Sequence, residues 1–377
     1  MGLNMSVFDH EPSLEFLDWS YLKNELGNNE YFNSKKNALE LPNAPRVASI
    51  FAGCGGTDLG LKWAGYKTVY SNELDARASE TYNANFDHAI DNRSVTDVNP
   101  DSIPEHDLLV GGFPCQPFSY AGKREGFSDP RGMLFFSLAK ILENKRPRHF
   151  LFENVKGLLN HDQGNTFRNV SRALKDVGYK FSYTILNAAD YGIPQRRERL
   201  IIVGVRDDID GYFEFPDFKL PRISIKEAID DLLGNDEVAN NEPMRHSKRI
   251  LERYKYIPQG GTMADVPEEH QQRKRGEPEK ISGKQSTQSY HRLIEDMPSP
   301  TVTAMFQAHF IHYREDRNLT AREAARLQSF PDDFVFCGKR TVMSWEKELS
   351  QYQQIGNAVP PKLAYVIGRG LYEQFFR

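Results

Sequence analysis

The chain has only three cysteines among its 377 residues, Cys54, Cys115 and Cys337, and no two of them form a short paired spacing. This scarcity argues against a disulfide framework and against a cysteine-based zinc site. The ten histidines do not cluster as ligand pairs either, so we expect no metal. No apolar run approaches the length that a bilayer requires, and no charged-then-apolar signal pattern opens the chain. These absences predict a cytoplasmic protein without a membrane anchor.

The chain also lacks an excess of positive charge, since acidic residues outnumber basic ones and the formal net charge is −4. The average conceals a segregation: residues 1–45 hold seven acidic residues and three lysines. We treat 1–45 as an acidic N-terminal extension, either disordered or partly packed through its apolar residues. Residues 243–292 hold eleven Lys and Arg against six Asp and Glu. Such a segment can lie on phosphates, and it can equally be a solvated surface.

Short β-rich runs alternate with helical stretches between residues 46 and 206. This alternation is typical of the α/β class, with a doubly wound and mostly parallel sheet. The predicted strands cover 46–51, 67–71, 107–110, 148–152, 181–186 and 199–205. The predicted helices cover 58–64, 75–86, 132–144 and 165–177.

After residue 206 proline and glycine interrupt the chain, and apolar periodicity fades. Capping boxes that begin at Ser224 and Thr320 predict helices over 224–233 and 321–329, and a last helical run follows Asn357. We therefore predict two domains. The larger one covers 46–218 plus 341–377, and a smaller, loop-rich one covers 219–340.

A cysteine stands in a loop directly after the predicted strand 107–110. Cys115 lies between two prolines, which fix φ and hold the loop in one shape. A thiol that follows a strand end is where an α/β enzyme keeps a nucleophile. The alternative is a structural thiol.

Residues 49–58 form a predicted strand that runs into a glycine loop and a helix. Glycines in such a loop let the backbone approach a ligand closely. Asp58 stands where a dinucleotide fingerprint needs glycine, which weakens a hydride-transfer interpretation. Glu73 ends the next strand and is placed to hold a ribose diol. The alternative is a tight turn before a capped helix.

Three further motifs carry polar chemistry. Glu153 follows the strand 148–152, so it emerges at the same sheet edge as Cys115. Residues 195–199, Gln-Arg-Arg-Glu-Arg, open a strand with three arginines, and 356–358, Gly-Asn-Ala, lead into the last helix. Taken singly, these motifs have plainer explanations: a capping acid, a solvated charge run and a helix start.

Taken together, the order and content of these motifs closely resemble the DNA cytosine-5 methyltransferases. The matching segments are 51–56, 112–119, 131–136, 153–155, 195–199, 317–331 and 356–359. The resemblance extends over about 46–206 and 290–377. It implies a Rossmann-like, class I S-adenosylmethionine-dependent methyltransferase of the bacterial restriction–modification type. The domain over 219–340 would then carry target recognition.

The resemblance implies roles for four catalytic residues. Cys115 would add to C6 of a flipped cytosine, and Glu153 would hydrogen-bond N3 and the exocyclic amine. Arg197 and Arg199 would assist around the base, Arg199 through the cytosine carbonyl and Arg197 nearer the thiolate. The methyl group would pass from S-adenosylmethionine to C5 of the base.

The resemblance also implies an S-adenosylmethionine site in which Phe51 packs on the adenine and Glu73 binds the ribose hydroxyls. The residues expected there are Phe51, Gly53, Gly55, Gly56, Glu73, Ser94, Val95, Pro114, Leu134, Asn357 and Ala358. Ser49, Leu74 and Ser94 depart from the family pattern, which often has Asp, an aromatic residue and Asp at these places. We expect altered adenine contacts as a result.

Double-stranded DNA is the implied partner, and the loop 116–133 would close over it. Glycine and charge content also direct attention to 259–265 and 272–276 for base contacts. The expected DNA-binding residues are Ser119, Lys123, Arg124, Arg131, Gly260, Gly261, Thr262, Arg273 and Arg275. We expect a monomer that associates with the nucleoid through DNA and is paired functionally with a restriction endonuclease of the same specificity.

Two alternatives stay open at this point. Relatives that methylate tRNA share the fold and the thiolate chemistry, but they usually lack a large variable segment such as 220–290. A catalytically dead DNA-binding member is the other alternative. The presence of Cys115, Glu153, Arg197 and Arg199 argues against it.

Overall fold

The structure is a computed structural model that describes residues 17–113, 132–271, 273–274, 277–281, 290–305, 310–342 and 346–377. Six strands form one mixed sheet in the order β2-β1-β3-β4-β6-β5. These are β1 Arg46–Ile50, β2 Lys67–Asn72, β3 Leu108–Gly111, β4 His149–Val155, β5 Tyr179–Asn187 and β6 Glu198–Arg206. Strands β1 to β4 are parallel, whereas β6 is antiparallel to both of its neighbours. All six predicted strands and the mostly parallel α/β fold are confirmed.

Ten α-helices are described within these ranges. They are α1 Ser20–Gly27, α2 Gly56–Trp63, α3 Ala76–Asn85, α4 Gly132–Lys145, α5 Asn165–Asp176, α6 Ile225–Ile229, α7 Lys248–Tyr254, α8 Ala321–Leu327, α9 Gln351–Asn357 and α10 Pro361–Phe375. Short 3₁₀ helices add Asn29–Asn33, Val95–Asp97, Pro100–Ser102, Lys156–Leu159, His161–Gly164, Ala188–Tyr191, Asp230–Leu232, Met263–Asp265 and Glu268–His270. The prediction over 224–233 is thus divided between α6 and a 3₁₀ turn. The carboxylate of Asp230 in that turn binds the Tyr313 hydroxyl and the Arg314 guanidinium.

Both faces of the sheet are covered, because successive strand residues point to opposite sides. Leu108 and Val110 belong to a core cluster that contains residues of α2 and α10. Leu109, between them, belongs to a second cluster formed with α4 and α5. The sheet is therefore doubly wound, and the carboxyl ends of its parallel strands form one edge.

The predicted division into domains stays a prediction, since the first core cluster continues into 219–340. Leu327 and Phe330 lie in the same cluster as residues of α2 and α10. Within 219–340 the strands are short: β7 Arg273–Lys274, β8 Glu277–Ile281, β9 His291–Arg292 and β10 Phe310–Ile311. A small separate cluster contains Tyr254, Ile257 and Met263.

The described part of the N-terminal extension packs against the sheet domain. Leu22 and Leu26 of α1 are buried, and the Phe32 ring meets Trp63 and Tyr365 edge-on at 5.2 and 5.0 Å. These contacts hold residues from 17 onward on the surface of α2 and α10.

Candidate active site

A cavity of about 440 Å³ lies at the carboxyl ends of β1, β3 and β4. Ligands of open α/β sheets bind at this edge, and the volume is in the range of small-molecule sites. The lining includes nine of the residues that the sequence predicts for the site. They are Phe51, Gly53, Gly56, Glu73, Glu153, Arg197, Arg199, Asn357 and Ala358. Six of the expected cofactor residues and three of the expected catalytic residues thus border one continuous space.

The three glycines that follow β1 have different surroundings. A Cβ on Gly53, at a φ of +57°, would meet nothing within 4 Å, so its face is open to a ligand. A Cβ on Gly55 would lie 2.3 Å from the Phe86 ring, and one on Gly56 would lie 2.3 Å from the Val359 carbonyl oxygen. Gly55 and Gly56 therefore permit close packing of the loop, while Gly53 borders the cavity.

Glu73 stands at the end of β2 and holds the same loop. Its Oε2 accepts a hydrogen bond from the Gly53 amide at 2.9 Å, and its Oε1 accepts one from the Asp75 amide at 2.8 Å. Burial raises the pKa of the Glu73 carboxyl, although these backbone donors act in the opposite direction. Each carboxylate oxygen keeps a second lone pair, which a diol hydroxyl can reach from the cavity.

Ser49 stands where the family often has Asp, and its side chain contacts the carboxylate of Asp58. The Ser49 hydroxyl donates to Asp58 Oδ2 at 2.8 Å, and the Tyr82 hydroxyl donates to Oδ1 at 2.9 Å. Burial raises the pKa of the Asp58 carboxyl. The carboxylate beneath the loop is therefore supplied by α2 instead of by β1.

Four expected cofactor residues do not line the cavity in the described part of the chain: Gly55, Ser94, Val95 and Leu134. The Ser94 hydroxyl accepts from the Thr96 amide and caps the short helix that follows. Val95 is buried in the second core cluster, and Leu134 packs against that cluster. Their roles in cofactor binding stay predictions.

The cavity lining also contains an ion pair between neighbouring strands. Arg199 Nε on β6 lies 2.8 Å from Glu153 Oε1 on β4, with side chains 13 % and 18 % exposed. Burial lowers the pKa of the Arg199 guanidinium, and Glu153 opposes that shift. Each group therefore restricts the orientation of the other in the cavity lining.

Cys115 lies outside the described residues, as do Pro114, Ser119, Lys123, Arg124 and Arg131. The chain that leads to Cys115 is nevertheless anchored beside Glu153. A Cβ on Gly112 would lie 3.4 Å from Glu153 Oε2. The Asn154 side-chain amide donates to the Phe113 carbonyl at 2.8 Å. The described chain that precedes Cys115 therefore ends beside the Glu153 carboxylate.

Arg197 is only 1 % exposed and is bound almost entirely by backbone. Its Nη1 donates to the Val302 carbonyl at 2.8 Å, and its Nη2 donates to the carbonyls of Gly356 at 3.1 Å and Ala358 at 2.9 Å. Its buried Nε has no partner in the described structure. Burial lowers the pKa of this guanidinium to about 9, and the neighbouring Arg199 acts in the same direction.

The residues predicted for base contacts in 259–265 are engaged in local structure. Gly260 and Gly261 exchange backbone hydrogen bonds with Arg292 at 2.9 and 3.0 Å. The Thr262 hydroxyl and the Asp265 carboxylate form a capping box. Arg273 lies in β7 and its side chain is not described, whereas Arg275 lies outside the described residues. DNA contacts by this set stay predictions.

Sequence reasoning missed three polar residues that organise the site. Asn154 adjoins Glu153, and Gln195 opens the arginine motif. The Gln354 amide nitrogen donates to the Cys337 and Leu349 carbonyls next to the cavity. Each of the three lies within or beside a motif, so adjacency to the motif was the available signal.

The described residues contain neither a membrane-spanning helix nor a metal-binding cluster. No helix among them combines the length and apolar character needed to cross a bilayer. No group of three or more His, Cys, Asp or Glu side chains in the same part of the chain is arranged to hold a metal ion.

Comparison with known proteins identifies the family. Residues 45–373 match the model of the C-5 cytosine-specific DNA methylases. The chain belongs to this family. The methylase is accordingly a DNA cytosine-5 methyltransferase, as the motifs predict.

Curated relatives align over most of the methylase. It is 39 % identical over 361 residues to the Type II methyltransferase M.DdeI of Desulfomicrobium norvegicum, covering 85 % of this chain and 87 % of the relative. It is 39 % identical over 339 residues to the Type II methyltransferase M.Eco47II of Escherichia coli, covering 87 % and 79 %. M.PspPI of a Psychrobacter species is 37 % identical over 376 residues, covering 93 % and 86 %.

Solved structures share the fold of the methylase. A Spodoptera frugiperda DNMT2 variant has a TM-score of 0.60 at 18 % identity, covering 87 % of this chain and all of that one. The Entamoeba histolytica methyltransferase EhMeth has a TM-score of 0.59 at 17 % identity, covering 88 % and 98 %. At these identities the likeness concerns the fold alone.

Proposed function

We propose that the methylase transfers a methyl group from S-adenosylmethionine to C5 of a cytosine flipped out of a specific duplex DNA sequence. The reaction proceeds through a covalent bond between Cys115 and C6 of the base. One observation carries this proposal: a single cavity joins the Gly53–Glu73 end to the Glu153–Arg199 end. A methyl donor at the first end and a cytosine at the second would share one enclosed space.

The residues at the first end fit S-adenosylmethionine. Gly53 presents an open backbone face, and Glu73 offers carboxylate oxygens suited to ribose hydroxyls. Phe51 lines the cavity and supplies a ring for the adenine, while Asn357 and Ala358 border the same space. The bound cofactor supplies the methyl group and is converted to S-adenosylhomocysteine.

The residues at the second end fit a cytosine undergoing attack at C6. The thiolate of Cys115 adds to C6, and the electron pair of the C5–C6 double bond becomes available at C5. Glu153 hydrogen-bonds N3 and the exocyclic amine, and Arg199 binds the cytosine carbonyl, so both stabilise the charge that develops on the ring. Arg197 has Nε left to serve near the thiolate, because its two Nη atoms are bound to carbonyls.

The reaction is completed on the covalent adduct. Once C5 carries the methyl group, a base removes the C5 proton and that electron pair re-forms the C5–C6 double bond. The Cys115 thiolate leaves C6, and the enzyme is regenerated. A base stacked in the duplex offers no access to C6, so the target cytosine must be flipped into the cavity.

The recognition of DNA is assigned to 219–340, with the large domain over 46–218 plus 341–377. Within it the basic stretch 243–292 supplies phosphate contacts, and Gly260, Gly261, Thr262, Arg273 and Arg275 face the duplex. Ser119, Lys123, Arg124 and Arg131 contact DNA from the loop that carries Cys115. The methylase acts in the cytoplasm as a monomer, bound to nucleoid DNA and paired with an endonuclease of the same specificity.

The deciding experiment is bisulfite mapping of DNA from cells that express the methylase or its Cys115→Ala variant. We expect one short sequence to be methylated at a fixed cytosine by the wild type and at none by the variant. Parallel assays of purified protein with duplex DNA and with tRNA test the substrate class. Methylation by Cys115→Ala, or methylation of tRNA alone, would contradict the proposal.

The place of specificity has its own test. Replacing 243–290 with the corresponding segment of a relative of different specificity should transfer the relative's target sequence. An active chimera that still methylates the original sequence would show that recognition lies elsewhere.

A further inference from the structure

Three separate chain segments meet around Arg197. The first is the start of β6 with the residues before it. The second is 299–303, which pairs with that segment: the Ser299 amide donates to the Pro194 carbonyl at 2.9 Å, and the Arg196 amide donates to the Ser299 carbonyl at 2.7 Å. The third is the last turn of α9 with the residues that follow it, which borders the cofactor end of the cavity.

The Val302 peptide is held from both sides at this junction. Its amide donates to Gln195 Oε1 at 2.8 Å, and its carbonyl accepts from Arg197 Nη1 at 2.8 Å. Both polar backbone groups of Val302 are thus bound by side chains that are themselves 0 % and 1 % exposed. Leaving either group unpaired in the interior would be destabilising.

The last turn of α9 approaches 299–303 closely at Gly356. A Cβ on Gly356 would lie 2.2 Å from the Thr303 carbonyl carbon, so only glycine permits this approach. Arg197 Nη2 spans the contact by donating to the Gly356 and Ala358 carbonyls. One guanidinium therefore binds Val302 on one side and the cofactor-side turn on the other.

We infer that Arg197 is a positioning residue that couples 299–303, within the region that recognises DNA, to the cofactor end of the site. Binding of target DNA then favours the arrangement of Gly356 and Ala358 that holds the cofactor, and the reverse holds by reciprocity. This inference rests on the proposed function. Lysine cannot replace the arginine, because one ammonium cannot reproduce the planar fork that reaches three carbonyls.

Arg322 provides a matched control for loss of a buried arginine. It is 0 % exposed and donates to the carbonyls of Ala239, Pro331 and Phe334 at 2.9, 2.8 and 2.7 Å. It does not line the cavity as described. Arg322→Lys therefore removes a similar set of hydrogen bonds without touching the proposed coupling.

The experiment measures the Kd of S-adenosylhomocysteine, alone and with saturating duplex that contains the mapped target sequence. For the wild type we expect DNA to lower the Kd by roughly 5- to 150-fold, the usual range of coupling between sites. In Arg197→Lys this factor should fall towards one, whereas in Arg322→Lys it should stay at the wild-type value. Gln195→Met, which loses the acceptor for the Val302 amide, should lower the factor to a smaller extent and serves if Arg197→Lys fails to fold.

Three results would overturn the inference. They are an undiminished factor in Arg197→Lys, an equal loss in Arg322→Lys, and no effect of DNA on the wild type. A fall in methylation rate with an undiminished factor would mark Arg197 as a contact to the base. Failure of the proposed function is distinguishable, since the wild type would then methylate no duplex at all.

Discussion

Different donors pair with the buried backbone carbonyls in the sheet domain and in the region over 219–340. In the sheet, backbone pairs with backbone along continuous ladders such as β5 with β6. In 219–340 the strands are short, and buried arginines bind the carbonyls of loops. Arg292 donates to the carbonyls of Tyr254, Ile257, His312 and Glu315, and to the Asp316 carboxylate.

The difference follows from the rule that buried backbone groups need partners. In a sheet, neighbouring strands supply these partners, whereas the carbonyls of a buried loop accept hydrogen bonds from side chains. Arginine can bind several carbonyls at once, because its five N–H groups lie in one planar fork. Under the proposed function, the strand ends carry the chemistry and the surface side chains of the loop region are available for recognition.

The largest change that we expect is a loss of methylation rate in Glu153→Gln, without a change in DNA recognition. Glu153→Gln keeps the size of a strand-end side chain but removes its charge, so the methylation rate should fall about 10²- to 10⁴-fold. The target sequence and the affinity for DNA should stay unchanged. Single-turnover kinetics on the mapped duplex measure the rate. The control is Asp208→Asn, which removes an exposed partner of Arg206 two residues beyond the far end of β6 and should leave the rate intact. Equal losses in the two variants would contradict the assignment.

A second prediction compares conservative substitutions in the two regions. Arg292→Lys leaves several buried carbonyls without donors and should lower the free energy of unfolding by about 3 kcal/mol or more. Ile202→Val, in the sheet core, removes one methylene group and should cost about 1 kcal/mol. Urea denaturation of both variants measures the difference. If Ile202→Val proved the more costly, loops in 219–340 would not depend on buried arginine.

The smallest of these effects concerns Lys362, a buried cation whose hydrogen bond is to a side chain and not to several backbone carbonyls. Lys362 is 9 % exposed, and its ammonium donates to Asn29 Oδ1 at 2.8 Å and lies over the Phe32 ring. Burial lowers the pKa of Lys362 to about 8. In the unfolded chain a lysine pKa is near 10.4, so above pH 8 the unfolded state holds more protons and stability rises with pH.

Relative to a Lys362→Met variant, the wild type should therefore gain about 1 kcal/mol of unfolding free energy between pH 8 and pH 9. Urea denaturation at both pH values gives this difference, and the comparison cancels groups that titrate in both proteins. A constant difference would show that Lys362 stays fully charged in the fold.

The sheet could be predicted because its signals are local. Strand runs such as 107–110 and 199–205 combine β-rich composition with short length, and the structure places a strand at each of them. Helix α9 was not predicted, although Ser350 and Gln353 form a capping box at its start. Helix α1 was not predicted, because the acidic charge of 1–45 favours disorder as readily as packing. In the structure its Leu22 and Leu26 are buried.

Nine of the expected site residues line the cavity, whereas the contacts that hold them could not be predicted. The motifs around Gly53, Glu73, Glu153 and Arg199 indicate chemistry, and the cavity brings all four together. The binding of Arg197 to Val302 and Ala358 could not be predicted, since the partners are backbone carbonyls more than a hundred residues away. Carbonyls have no signature in a sequence, so only the fold reveals such contacts.

The proposed reaction depends on the attack of Cys115 on C6 of the cytosine. Fluorine in place of the C5 hydrogen blocks release of the thiolate, because no proton can leave C5 after methylation. Incubation with S-adenosylmethionine and a duplex bearing 5-fluorocytosine at the mapped target should therefore trap a covalent complex. Peptide mass spectrometry should place the modified base on Cys115 and leave Cys54 and Cys337 unmodified. Steady formation of 5-methylcytosine on the normal duplex, with no adduct on the fluorinated one, would contradict the account.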